Sequence, residues 1–199
     1  MRPLSTICRA FVLLLLAAGT ARAVPILDVT SALLAGDPTQ LGRLSRNGIP
    51  QDWANSEPFP GVINPTTVYN YHVYSVNVGI TPFVQVSFDS VPANTFVSAY
   101  LDSYDPTNLA TNWLGDAGFS GNLFGVDPVF FQVVVPINHD LMVVVNTTAL
   151  AGLGQEYRLL AEGFIDTEYT EPVPEPDTLL LSGGGLVLLA VGRFLRQGA

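Results

Sequence analysis

The sequence contains no lysine and a single cysteine, Cys8. A lone cysteine provides neither an intrachain disulfide nor a thiolate cluster for a metal ion. The chain has only two histidines, and it lacks the Gly-x-Ser-x-Gly, His-Glu-x-x-His and phosphate-binding glycine motifs. These absences argue against the common nucleophilic, zinc-dependent and nucleotide-dependent enzymes. We therefore predict that the protein is not an enzyme and that it needs no organic cofactor.

Positive charge is also scarce in the body of the chain. The net charge is −9, all acidic residues follow residue 23, and only Arg43, Arg46 and Arg158 supply positive charge between the two ends. Proteins that bind polyanions need clustered basic side chains, which displace counterions from the phosphates. We therefore expect no nucleic acid among the partners of this protein.

The N-terminus has the three parts of a secretory signal peptide. Two arginines precede a short apolar run at residues 11–18, and Ala21 and Ala23 then provide the small-x-small pattern of a cleavage site. We predict that residues 1–23 form a signal peptide and that Cys8 is removed with it. The rest of the protein is therefore expected to be exported.

A rigid tether precedes the C-terminal end. Residues 171–178 contain Pro174, Glu175 and Pro176. Each proline fixes φ and removes a backbone hydrogen-bond donor, so the segment should be extended and solvated. Such a peptide can enter the groove of a processing enzyme without first losing hydrogen-bonded structure.

An apolar run over residues 179–195 follows the tether. At about 1.5 Å per residue it reaches roughly 25 Å, near the lower limit for crossing a bilayer as a helix. Arg193 and Arg196 lie at its end, and the basic end extends to residue 199. Because positive charge stays on the cytoplasmic side, we predict a transmembrane helix with the preceding body outside.

These three parts, in this order, resemble the C-terminal sorting signal of the PEP-CTERM proteins, a family of bacterial surface or secreted proteins. The resemblance covers about the last 25 residues. It implies that an exosortase, an integral-membrane transpeptidase-like enzyme, recognises Pro174-Glu175-Pro176 in a Gram-negative bacterium that makes exopolysaccharide. It also implies an inner-membrane intermediate, followed by the cell surface, outer envelope or extracellular matrix. A plain membrane anchor is the alternative.

Between the two ends, residues 24–170 predict one all-β domain. Short β-rich runs alternate with turn residues, and the period of two is clearest at residues 83–88. Because no long helix is indicated, we expect an antiparallel β-sandwich of jelly-roll type with about seven or eight strands. Residues 31–35 suggest one helical turn. The main predicted strands are residues 68–78, 83–88, 96–101, 129–135, 141–145 and 157–164.

This middle part is also loosely similar to the pre-peptidase C-terminal domains, β-sandwiches that recur in secreted bacterial proteins. That resemblance implies an accessory or binding role. The segments that carry it are residues 43–48, 60–61, 69–74, 100–106 and 113–118.

Asp102, Asp105, Asn108 and Asp116 have two interpretations. Calcium prefers several oxygen ligands from one flexible loop. The same residue types form turns by bonding their own backbone, and the spacing fits no EF-hand. Turn formation is therefore favoured, and a calcium site is the alternative. Paired carboxylates in this group leave glycoside hydrolysis as the enzymatic alternative.

Three nearby aromatic residues, Tyr100, Tyr104 and Trp113, suggest a glycan-binding surface. Flat rings beside polar side chains stack on sugars, although the same residues also suit a hydrophobic core, which is the favoured interpretation. His72 lies in a predicted strand and His139 in a predicted turn, with no partner at metal-ligand spacing, so both are predicted to be structural.

The sequence thus predicts an exported, non-enzymatic surface or matrix protein that is associated with exopolysaccharide or biofilm. A carbohydrate-binding module, with or without calcium, is the alternative function.

Overall fold

The structure is a computed structural model that describes residues 23–90, 94–121 and 128–165. The predicted sorting motif and transmembrane helix lie outside these residues, as does all of the predicted signal peptide except Ala23. Within the three described ranges, no helix is long and apolar enough to cross a membrane.

The described residues form antiparallel β-sheets, which confirms the all-β prediction. A four-stranded sheet has the order β1-β9-β4-β7, and a five-stranded sheet has the order β2-β3-β8-β5-β6. The strands are β1 Val24–Ala32, β2 Thr39–Leu44, β3 Val62–Asn77, β4 Phe83–Ser90, β5 Thr95–Leu101, β6 Trp113–Asp116, β7 Val129–Val134, β8 Asp140–Thr147 and β9 Glu156–Phe164.

The main core lies between the two sheets. In β4, Val84, Val86 and Phe88 are fully buried, while the residues between them point to the other face. This alternation is the period of a strand with one buried face. In the other sheet, Val143 and Val145 of β8 belong to the same apolar cluster. Full burial of such a side chain stabilises the fold by about 1.5–3 kcal/mol.

A second, smaller core includes residues from the opposite face of β5. Phe96 is completely buried there and forms a cluster with Leu44 and Leu109. Phe59 and Trp113 pack against this cluster from the side. Part of the five-stranded sheet is therefore covered on both faces, which explains why every residue of β5 from Thr95 to Tyr100 is buried.

Residues 48–53 close the edge of the molecule between β6 and β7. The Gln51 N–H donates to the Asp116 carbonyl of β6 at 3.0 Å, and the Gln51 carbonyl accepts from the Gln132 N–H of β7 at 2.9 Å. The Gly48 N–H also donates to the Gly118 carbonyl at 2.9 Å. This segment, which we call the closing segment, joins one edge of each sheet.

The predicted strands at residues 68–78, 83–88, 96–101, 129–135, 141–145 and 157–164 are confirmed as β3, β4, β5, β7, β8 and β9. The helical turn suggested at residues 31–35 is wrong, because Ser31 and Ala32 complete β1 by pairing with Tyr157 and Glu156 of β9. Pairing with a neighbouring strand overrides the weak local preference of this segment for a helix.

Candidate functional site

The two tryptophans of the chain line one cavity beside the edge of β7. The cavity has a volume of about 270 Å³. Trp53 comes from the closing segment and Trp113 opens β6, so the cavity forms where that segment joins the two sheets. We call it the tryptophan cleft. Its other lining residues are Gln51, Asp52, Ser56, Leu114, Gln132, Val133 and Val134.

The Trp53 ring is held on three sides. Its indole N–H donates to the Val133 carbonyl at 3.0 Å. The rings of Phe83 and Phe164 meet it in edge-on geometry, with centroid distances of 5.7 and 5.5 Å. Aromatic pairs of this kind add roughly 0.5–1.5 kcal/mol each beyond their buried area. The orientation of Trp53 is therefore set before any ligand arrives.

The Trp113 ring packs edge-on against Phe59, with 5.6 Å between the ring centroids. Among the described residues, no acceptor lies within hydrogen-bonding geometry of its buried indole nitrogen. The indole nevertheless lies close enough to Asp116 to lower the pKa of that carboxyl, in opposition to burial. Trp113 thus connects the cleft to a buried charge.

Asp116 lies in β6 with 3% of its surface exposed. Its Oδ1 atom accepts the Gly118 N–H at 2.8 Å, whereas Oδ2 has no hydrogen-bond partner among the described residues. Burial raises the pKa of Asp116 to about 6 because desolvation disfavours the ionised form. The carboxyl therefore titrates well above the usual range of an aspartate.

Amide side chains provide the polar part of the cleft. Gln51 is 8% exposed, and its Oε1 atom accepts the Glu57 N–H at 3.0 Å. The Gln132 amide donates to Gln85 Oε1 at 3.0 Å across β7 and β4. These bonds hold amide groups in fixed positions next to aromatic rings, which is the arrangement that orients a small polar ligand.

Two of the four predicted calcium ligands, Asp105 and Asn108, form local turns, and a third, Asp102, bonds a distant segment. Asp105 accepts hydrogen bonds from the Thr107 N–H at 2.8 Å and from the Thr107 hydroxyl at 2.7 Å, and these bonds lower the pKa of Asp105. Asn108 accepts the Ala110 N–H at 3.3 Å. Asp102, at a φ of 60°, accepts from His139 Nδ1 at 2.9 Å and from the Asp140 N–H at 3.1 Å. The local bonds of Asp105 and Asn108 are the turn chemistry that the sequence favoured, whereas the bonds of Asp102 are not local.

Asp116, the fourth predicted ligand, is the buried carboxyl beside Trp113. Among the residues that the structure describes, no three His, Cys, Asp or Glu side chains are grouped so that they could hold a metal ion. Asp102, Asp105 and Asp116 are therefore not brought together as one cluster.

Of the three predicted glycan-binding aromatics, the structure brings only Trp113 to the cleft. Tyr100 is 1% exposed and packs against Tyr104 with 4.8 Å between ring centroids, so its ring is not accessible to a sugar. Tyr104 is half-buried, and its hydroxyl donates to Gln40. Burial raises the pKa of both phenols.

The sequence reasoning missed Trp53, Gln51 and Gln132, which reach the cleft from the closing segment and from β7. One signal was available, because Trp53 is a tryptophan within a polar, proline-rich stretch that offers it no core of its own. The pairing of that stretch with β6 and β7 depends on contacts between residues far apart in the chain, which periodicity does not reveal.

Comparison of the sequence with protein-family models and with curated proteins finds no match. Residue chemistry and geometry are therefore the basis for assigning a function.

Proposed function

We propose that this chain is an exported, non-enzymatic surface or matrix protein that is sorted by its C-terminal signal. Support comes from the order of the Pro174-Glu175-Pro176 motif, the apolar run and the basic residues Arg193 and Arg196. The partner is an exosortase-type membrane enzyme. The protein passes through an inner-membrane intermediate and reaches the cell surface, outer envelope or extracellular matrix of a Gram-negative bacterium.

The described domain is a jelly roll in this proposal, flanked by a signal peptide and a transmembrane helix. Without the edge strand β2, the strand orders are β1-β9-β4-β7 and β3-β8-β5-β6. This order supports two interlocked Greek keys of four strands each. Lectin domains are among the proteins built this way, although a shared fold is only an analogy for function.

Within the matrix, the tryptophan cleft binds one sugar unit of an extracellular polysaccharide. The observation that supports this role is the placement of Trp53 and Trp113 in one cavity with the amides of Gln51 and Gln132. Aromatic rings stack on the apolar face of a sugar while amides bond its hydroxyls. A volume of about 270 Å³ suits a single ring and is small for an oligosaccharide.

The preferred polysaccharide is neutral, because the arginines of the body are already engaged or buried. Arg158 pairs with Asp28 through two bonds of 3.0 and 2.9 Å. Arg46 donates to Ser120 at 2.7 Å, and Arg43 is 6% exposed. The cleft itself contributes the carboxylate of Asp52. A uronic-acid polymer would therefore be repelled without a cation to pair with it.

This role can be tested by affinity electrophoresis of the full-length protein, purified in detergent. One gel contains a neutral glucan and the other contains a polyuronate. We expect retardation by the neutral polymer alone. Trp53→Ala and Gln132→Ala should each weaken it by about tenfold, corresponding to the loss of one aromatic or hydrogen-bonding contact. Phe130→Ala is the matched control, because this exposed β7 aromatic does not line the cleft.

Thermal unfolding of each variant separates loss of binding from loss of folding. Wild-type protein that passes both gels unretarded would refute the glycan-binding role. Retardation that disappears with EDTA would support the calcium-assisted alternative instead.

A further inference from the structure

Two phenols and one imidazole meet at the edge of the molecule opposite the closing segment. His72 Nδ1 lies 2.7 Å from the Tyr157 hydroxyl and 3.3 Å from the Tyr74 hydroxyl. The two hydroxyls are 2.6 Å apart. His72 and Tyr74 come from β3, and Tyr157 comes from β9, so this phenol–imidazole cluster joins the two sheets.

Asp37 fixes the orientation of the imidazole. Its Oδ2 atom lies 2.8 Å from His72 Nε2 and also accepts the Leu34 N–H at 2.6 Å. In the tautomer whose Nε2–H donates to this carboxylate, Nδ1 has a lone pair that faces both phenols. A histidine that ligates a metal usually has this same second partner, a carboxylate on its other nitrogen.

We propose that His72 Nδ1, Tyr74 Oη and Tyr157 Oη bind ferric iron. A metal about 2.0–2.1 Å from each of three ligands holds them roughly 2.8–3.3 Å apart. The His72–Tyr74 separation of 3.3 Å lies in this range, and the separations of 2.7 and 2.6 Å to and from Tyr157 must widen by a few tenths of an ångström when a metal binds. Imidazole suits iron, and tyrosinate is an established iron ligand. Water or a small anion fills the remaining positions around the iron.

Charge also favours a trivalent cation. Binding converts both phenols to phenolates and releases two protons to solvent, so the two phenolates and Asp37 together balance three positive charges. A bound cation favours the deprotonated form of such acidic ligands.

The cluster has a route to solvent. A cavity of about 490 Å³ is lined by His72 and Tyr74 together with Pro38, Tyr71 and Val73. The His72 side chain is 22% exposed, whereas Tyr157 is buried in the main core. Iron would therefore enter from the β3 side and reach Tyr157 last.

Addition of ferric nitrilotriacetate to the full-length protein in detergent, at neutral pH, tests the proposal. We expect one iron per chain and a visible phenolate-to-iron charge-transfer band, with two protons released for each iron bound. Tyr74→Phe and Tyr157→Phe should each diminish the band and weaken binding. Tyr104→Phe should leave both unchanged, because the Tyr104 hydroxyl donates to Gln40 and lies outside both the cluster and its cavity.

Asp37→Asn keeps all three ligands and replaces the charged partner of Nε2 by a neutral amide, so it should weaken iron binding by about 10–100-fold. Absence of the band in the wild-type protein would overturn the proposal. So would a band that persists unchanged in a folded Tyr74→Phe variant. Without the band, the cluster would be only a hydrogen-bonded link between β3 and β9. A persistent band would place the iron elsewhere in the chain. Neither outcome depends on whether the tryptophan cleft binds a glycan.

Discussion

Asp116 makes the stability of the domain depend on pH in the opposite direction from a salt-bridged aspartate. Its pKa is raised from 3.8 to about 6 in the folded state. Between these values the folded state binds more protons than the unfolded state, so the free energy of unfolding falls as the pH rises. A shift of this size corresponds to about 3 kcal/mol. The loss of stability is complete once the pH lies above the folded-state pKa of Asp116.

Asp116→Asn tests this dependence, because asparagine retains an acceptor for the Gly118 N–H and does not ionise. The exposed carboxylates Asp102 and Asp105 have lowered pKa values and oppose the trend, but they remain in both proteins and cancel in the difference. We expect the stability of wild type relative to the variant to fall by up to about 3 kcal/mol from pH 4 to pH 7.5, measured by urea unfolding. A pH-independent difference would contradict this assignment.

At the residue scale, the sequence predicted best where a side chain bonds its own neighbourhood. Asp105 and Asn108 form the local turns that their residue types favour. The burial of Asp116 and the cluster around His72 depend on distant segments. Tyr157, for example, is separated from His72 by 85 positions, so no ligand spacing in the sequence indicates it.

At the scale of elements, the closing segment depends on one glycine. Gly118 has a φ of +71°, and a Cβ atom there would lie 2.5–2.6 Å from the backbone of Ile49. Gly154 has the same φ of +71°, but nothing lies within 4 Å of its added Cβ. The two positions therefore share the backbone strain and differ in the steric clash.

We expect Gly154→Ala to cost about 1 kcal/mol, from left-handed strain alone. Gly118→Ala should cost roughly 3 kcal/mol, because Ile49 and the closing segment must also move. Thermal unfolding gives the stability difference, and tryptophan fluorescence reports the change around Trp53 in the Gly118 variant. Equal destabilisation by the two substitutions would show that the contact with Ile49 does not constrain the segment.

Strands were predictable where one face is buried and the other is not. β4 alternates almost perfectly, whereas β1 is an edge strand with little contrast between its faces and was missed. β6 has only four residues, and its pairing with β5 shifts register near Tyr100. A short, irregular strand does not complete enough periods to be distinguished from a loop.

At the scale of the whole molecule, the periodicity of the sequence predicted the fold class but not which strands pair. Because the sequence lacks helical periodicity, we predicted antiparallel β-sheets, and the structure confirms this prediction. The neighbours of each strand were not predictable, because β9 lies between β1 and β4 and β8 lies between β3 and β5. The tryptophan cleft exists only because of that long-range order.

The sorting proposal also concerns the whole chain, and intact mass with cell fractionation tests it in the native host. We expect an extracellular or surface form that lacks residues 179–199, and full-length protein in the membrane when the sorting enzyme is deleted. Glu175→Ala should also trap the full-length form, because it alters the centre of the predicted recognition motif. Glu171→Ala is the matched control, since this glutamate lies in the same tether outside the motif. Uncut protein in the membrane of both strains would identify the tail as a plain anchor, and the cleft would then act on glycans within reach of the inner membrane.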